Sequence, residues 1–152
     1  MQYGRGIGRS LSALMLATGA PLLVGNVPSG QDIKVTVTDL RSTKGKVLAC
    51  LTADAQTFPD CDKDPEARSV TVNAGSTVSF SFRDVRPGTY AIALLHDENA
   101  NGKADKALMI PKEGFGFSRD AKVRMGPPKF SAAAFTVSED PVRQQIRMRY
   151  LF

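Results

Sequence analysis

One histidine and two cysteines in 152 residues exclude most chemistries that need several of either. A structural zinc site takes four nitrogen or sulfur ligands, which His96, Cys50 and Cys61 cannot supply. No Gly-x-Ser-x-Gly elbow and no His-Glu-x-x-His pair occurs, and the glycines lack the spacing of a phosphate-binding loop between a strand and a helix. An amphipathic helix of useful length, an internal repeat and a low-complexity tract are missing too. So is a confident membrane span, which needs about 20 mainly apolar residues: Leu11 to Val24 is too short and is broken by Gly19 and Pro21.

Acidic residues are absent before Asp32. A basic head with Arg5 and Arg9, the apolar Leu11 to Val24 and the small residues after it have the order of an export signal. Residues 1–30 are therefore expected to be the signal, cut somewhere between Ala20 and Gly30, and residues 31–152 a single domain, periplasmic or secreted. Without Arg5 and Arg9 the chain carries 18 basic and 15 acidic residues, too even a balance for a nucleic-acid binder. Arg143, Arg147 and Arg149 fall on one side of an alternating segment, the usual pattern of a solvated face.

The rest of the chain alternates with period two. Ile33, Val35 and Val37 interleave with polar residues, and Val78, Phe80 and Phe82 share a face. Lys46 to Thr52 and Arg68 to Asn73 are extended. Thr89 to Leu95 is nearly all apolar, which predicts a central strand. Ala53 to Asp64 reads as a loop whose Phe58 plugs the end of the core. Ile110 to Ser118 has too many glycines and prolines for a helix and is expected to be a long connection, a flap over the core or a ligand lip. Ser131 to Ala134 predicts one helical turn, and Val142 to Phe152 a closing strand. Together these predict an all-β fold, an antiparallel β-sandwich of about seven to eight strands, immunoglobulin- or transthyretin-like, with long loops.

His96 to Asp105 carries an oxygen side chain at nearly every second residue. Asp97, Asn99, Asn101, Gly102, Lys103 (through its carbonyl) and Asp105 occupy the first, third, fifth, sixth, seventh and ninth places of an EF-hand-type loop. The twelfth place, normally a bidentate Glu, is Leu108. Such a loop would hold calcium weakly, at ~10⁻⁴ to 10⁻³ M. The same residues are also the commonest turn formers, so an Asx-rich turn without metal stands beside the calcium reading. Cys50 and Cys61, an even count in an exported chain, are expected to pair.

Pro87-Gly88-Thr89-Tyr90-Ala91-Ile92-Ala93, the His96 to Asp105 run, Ile110 to Ser118, and Pro128-Lys129-Phe130 with Ala133-Ala134-Phe135 resemble the bacterial exported family called domain of unknown function 2141. The resemblance spans about Ile33 to Phe152 and implies an exported fold without implying a reaction. More distantly, the Pro-Gly-x-Tyr strand is similar to one in transthyretin-like and collagen-adhesin B-type sandwiches. The function expected is a noncatalytic envelope module, its partner an unknown envelope protein or small ligand. The alternative is a hydrolase-type enzyme using His96 as general base beside Asp97, Glu98 or Glu113.

Overall fold

The computed structural model describes residues 29–102, 106–107, 110–124 and 126–151. Residues 1–28 of the expected export signal, Lys103, Asp105, Leu108 and Phe152 lie outside these. Strands β1 (Gln31–Thr38), β2 (Lys46–Thr52), β3 (Arg68–Asn73), β4 (Val78–Val85) and β5 (Gly88–Asp97) follow one another. The short β6 (Lys106–Ala107) and β7 (Ile110–Pro111) form their own ribbon. β8 (Gly114–Phe117), helix α1 (Phe130–Ala133), β9 (Phe135–Val137) and β10 (Val142–Arg147) complete the chain. One sheet has the order β10-β1-β4 and the other β3-β2-β5-β8, with β9 also on β5. Eight strands in two sheets agree with the expected sandwich-like all-β fold.

The alternation of each strand decides what lies between the sheets, because successive side chains point to opposite faces. Ile33, Val35, Val37 and Phe82 from the first sheet meet Val47, Ala49, Leu51, Ile92 and Leu94 from the second, all nearly inaccessible. Each such side chain stabilises by roughly 1.5–3 kcal/mol when fully buried, Ala49 less. The opposite face of β5 is also covered, by Phe58, Phe115, Phe117, Ala121 and Ala133 around Ala91. Phe58 meets Phe117 and Phe130 edge-on, each with centroids 5.8 Å apart. Double coverage is the physical reason that β5 reads as an almost unbroken apolar run.

Two features depart from the sequence-based expectation. β10 pairs with β1 in parallel, Ile33 opposite Val142 and Val37 opposite Ile146. The alternation in Val142 to Arg147 specifies faces but not direction. Since β1 and β10 are the first and last strands in sequence order, the long connection that a parallel pair requires is provided by everything between them. The second departure is Gly114–Phe117, which is not loop but strand, antiparallel to β5 with Phe117 opposite Ala93 and Gly114 opposite His96. Glycine weakens a strand in isolation, yet here it admits close neighbours. The Tyr150 ring lies against Gly114, and Ile146 and Met148 lie against Gly116. Phe115 and Phe117 are buried, so this passage is core cover rather than ligand lip.

Cys50 on β2 and Cys61, in a short 3-10 turn, lie at disulfide distance with Cα atoms 6.3 Å apart. Thr52 supports the same loop, its hydroxyl donating to Asp64 and accepting from the Asp54 amide at 2.9 Å. A bond between cysteines 11 apart in sequence is expected to stabilise by about 2–3 kcal/mol. Urea unfolding with and without reductant measures it, and an unchanged midpoint would mean that the pair is not bonded.

Candidate functional site

The polar end of β5 is built from the residue types that turn a chain, placed at the edge of a hydrophobic core. His96 shares the inward face of Ile92 and Leu94 and is completely buried. Its Nε2 lies 2.9 Å from the Lys44 carbonyl and its Nδ1 2.6 Å from the Tyr150 hydroxyl. A carbonyl only accepts, so in the neutral imidazole Nε2 carries the proton and Nδ1 accepts from Tyr150. The same hydroxyl accepts from the Arg41 amide at 3.1 Å. One histidine thus joins the β1–β2 turn, the end of β5 and the C-terminal segment.

Asp97 is also fully buried. Its Oδ2 accepts from the Gly102 amide at 2.7 Å and its Oδ1 from the Asn101 amide at 3.2 Å. Asn99 Oδ1 accepts from that same Asn101 amide at 3.0 Å. Two oxygens of the expected cation loop therefore face one point, and Gly102 adopts the left-handed conformation (φ 76°) that the sharp turn demands. Asn99 and Asn101 are exposed, while Lys103 and Asp105 lie outside the described residues. Among the described residues no three His, Cys, Asp or Glu side chains converge as metal ligands do.

Glu98 faces the other way. Arg41 donates to its Oε2 through Nε at 2.9 Å and through Nη2, and Ser42 Oγ donates to Oε1 at 2.6 Å. These hydrogen bonds, Arg41 first and Ser42 second, hold the Glu98 carboxyl at about 2, well below its ordinary 4.5. The bond to Glu98 raises Arg41 in turn. Arg41 also donates to the Lys112 carbonyl at 3.0 Å and stands over the Tyr150 ring, 4.5 Å from its centroid. Burial pushes the Tyr150 phenol up, which keeps it a neutral donor to His96. Glu113 is buried nearby and contributes to the field at Arg41. Gly45 (φ 73°) completes the corner: a Cβ there would collide with the Asp97 carbonyl and the Glu98 backbone.

A second polar cluster lies where β10 leaves the sheet. Asp120 Oδ2 accepts from Arg147 at 2.8 and 3.1 Å and from Arg149 at 2.8 Å. Burial pushes the Asp120 carboxyl up, but the two arginines outweigh it and hold it below the usual range. Arg119 and Asp120 both have left-handed backbones (φ 57° and 52°), a strained geometry for non-glycine residues that these bonds help retain.

His96 and the Asp97 to Asn101 run are placed where a corner was expected. Arg41, Ser42, Tyr150 and Asp120 were not foreseen, because each meets its partner only through the fold. Arg41 and Glu98 are 57 residues apart and Arg41 and Tyr150 are 109 apart. Their separate sequence contexts, a turn and a closing strand, carry no signal of the pairing.

Replacing Tyr150 by Phe keeps the ring under Arg41 and removes the hydroxyl that donates to His96 and accepts from the Arg41 amide. The expected loss is about 1–3 kcal/mol in chemical unfolding, the cost of an unpaired buried acceptor. Glu98 sets an acid dependence. Its carboxyl is lower in the folded chain than the ordinary value, so its contribution is complete above pH 4.5 and disappears as the pH falls toward 2. Glu98→Gln should be less stable than the parent at neutral pH, with the difference shrinking across that window. A constant difference down to pH 2 would contradict the assignment.

Among the described residues no helix is long and apolar enough to cross a membrane. No curated protein and no solved structure matches the chain. A family model described as an uncharacterized protein conserved in bacteria matches residues 35–145, from the middle of β1 to β10. The chain belongs to this family, domain of unknown function 2141.

Proposed function

We propose that the chain is an exported, noncatalytic β-sandwich module of the bacterial envelope, whose 97–102 corner is a rigid structural element. The observation that carries the reading is His96: fully buried, with both ring nitrogens bonded inside the protein. A general base needs a nitrogen within hydrogen-bond reach of a substrate proton. Here the accepting nitrogen faces Tyr150, and the nearby Glu98 is held by Arg41 and Ser42. This favours architecture over the hydrolase alternative. Export is supported by the order of basic, apolar and small residues at the N-terminus.

A second reading, a weak calcium site, is favoured by one observation: Asp97 Oδ1 and Asn99 Oδ1 both face the Asn101 amide. Asp97 and Asn99 would supply hard oxygen ligands, suited to a hard cation. Calcium would then brace the corner from outside as the Asp97 hydrogen bonds brace it from within.

The test is to recover the protein from the periplasmic fraction of a bacterial host, weigh it, and follow its melting and its heat of calcium binding. A chain cut between Ala20 and Gly30 supports export, and an uncut cytosolic chain overturns it. His96→Ala should lower the melting temperature, and an unchanged one would remove the structural role. Millimolar calcium should release heat and raise the melting temperature if the corner binds it; neither effect would leave the hydrogen-bonded corner alone.

A further inference from the structure

We propose that the outer face of the three-stranded sheet binds an anionic polysaccharide, a polymer carrying carboxylate or sulfate groups among hydroxyls. Ile33, Val35 and Val37 turn inward, so Lys34 and Thr36 stand outward on β1. Register puts Arg143 of β10 beside Lys34 and Gln145 beside Thr36. On the other flank Ser81 and Ser79 of β4 stand beside the same two residues. The result is two rows of three, Arg143-Lys34-Ser81 and Gln145-Thr36-Ser79, lining a shallow groove of about 700 Å³.

The chemistry of the rows selects the ligand. Lys34 and Arg143 form no ion pair among the described residues, unlike Arg41, Arg147 and Arg149. Two adjacent cations without an ion-pair partner among the described residues suit a carboxylate or sulfate. Ser, Thr and Gln each donate and accept, as sugar hydroxyls do. A pleated sheet spaces these groups on a lattice of roughly 5 by 7 Å, on the scale of one sugar ring. Asp32, on the same face at the end of β1, is occupied by the Asp84 amide at 3.1 Å.

Other polyanions fit less well. Phe80 is turned inward and packs against Phe82 with centroids 5.7 Å apart, so the rows present no ring on which a base could stack. A bilayer surface would call for apolar anchors. Among the described residues the exposed large hydrophobic is Leu151, outside the rows. The proposal deepens the envelope-module reading, since such polymers would be met outside the cytoplasm, but it uses none of the 97–102 corner.

The experiment is calorimetric titration of the full exported chain with polygalacturonate, against neutral dextran, a short DNA duplex and phosphatidylglycerol vesicles. Polygalacturonate should bind and dextran should not. Lys34→Gln with Arg143→Gln should weaken binding by about tenfold or more. Thr36→Val with Ser81→Ala keeps the charge and should weaken it by about threefold or more through lost hydrogen bonds. Melting curves confirm that both double variants fold. No binding, tighter binding of DNA or vesicles, or a hydroxyl variant that binds like the parent would each overturn the proposal, the last by reducing the face to unspecific charge attraction. Selective polygalacturonate binding by a chain found uncut in the cytosol would sink the envelope reading and leave the face as a binding site.

Discussion

Burial of one imidazole holds three distant segments in register. Lys44 in the β1–β2 turn, His96 at the end of β5 and Tyr150 near the C-terminus meet through hydrogen bonds of 2.9 and 2.6 Å. The imidazole is fully buried, so losing either partner leaves a buried ring nitrogen without its bond. That asymmetry, rather than the strength of a single hydrogen bond, makes the corner a constraint on its surroundings. Arg41 extends it by linking the Tyr150 ring, the Glu98 carboxylate and the Lys112 carbonyl.

The constraint acts on a sandwich that is closed by its termini. β1 and β10, the first and last strands, lie side by side. The segment beyond β10 then crosses to the other sheet, where Arg149 and Phe115 exchange backbone bonds of 2.8 and 2.9 Å. Tyr150 arrives at His96 because of that crossing. The Asp120 pairing with Arg147 and Arg149 fastens the same stretch from outside. The C-terminal strand is thus a seam between the sheets, held by backbone pairing, an ion-pair cluster and a half-buried aromatic.

The loop after β5 derives its shape from the same end of the strand. Asp97 continues the buried run but turns its carboxylate back on the amides of Asn101 and Gly102, the local side-chain-to-backbone bonding that makes Asx residues turn formers. Glu98, one residue on, points to Arg41. Adjacent acidic residues therefore have separate duties, one folding the loop and one fastening it to the β1–β2 turn. The opposite sheet presents its polar side chains outward in ordered rows, and there Lys34 and Arg143 lack such partners among the described residues.

The sequence by itself determined what depends on local spacing. Period-two alternation marked the long strands and their buried faces. The unbroken apolar run marked β5 as central, and the Asx-Gly pattern marked the corner. Tertiary structure decided what depends on which segments meet. Alternation is blind to strand direction, so the parallel β1–β10 pair was not legible. Gly114–Phe117 looked like a breaker-rich loop because propensity counts glycine as a defect, whereas packing against Tyr150 and Ile146 makes its missing side chain the reason that the strand fits. His96 could be placed at a strand end from sequence, but its role depended on Tyr150 and Lys44, which only folding brings within hydrogen-bond distance.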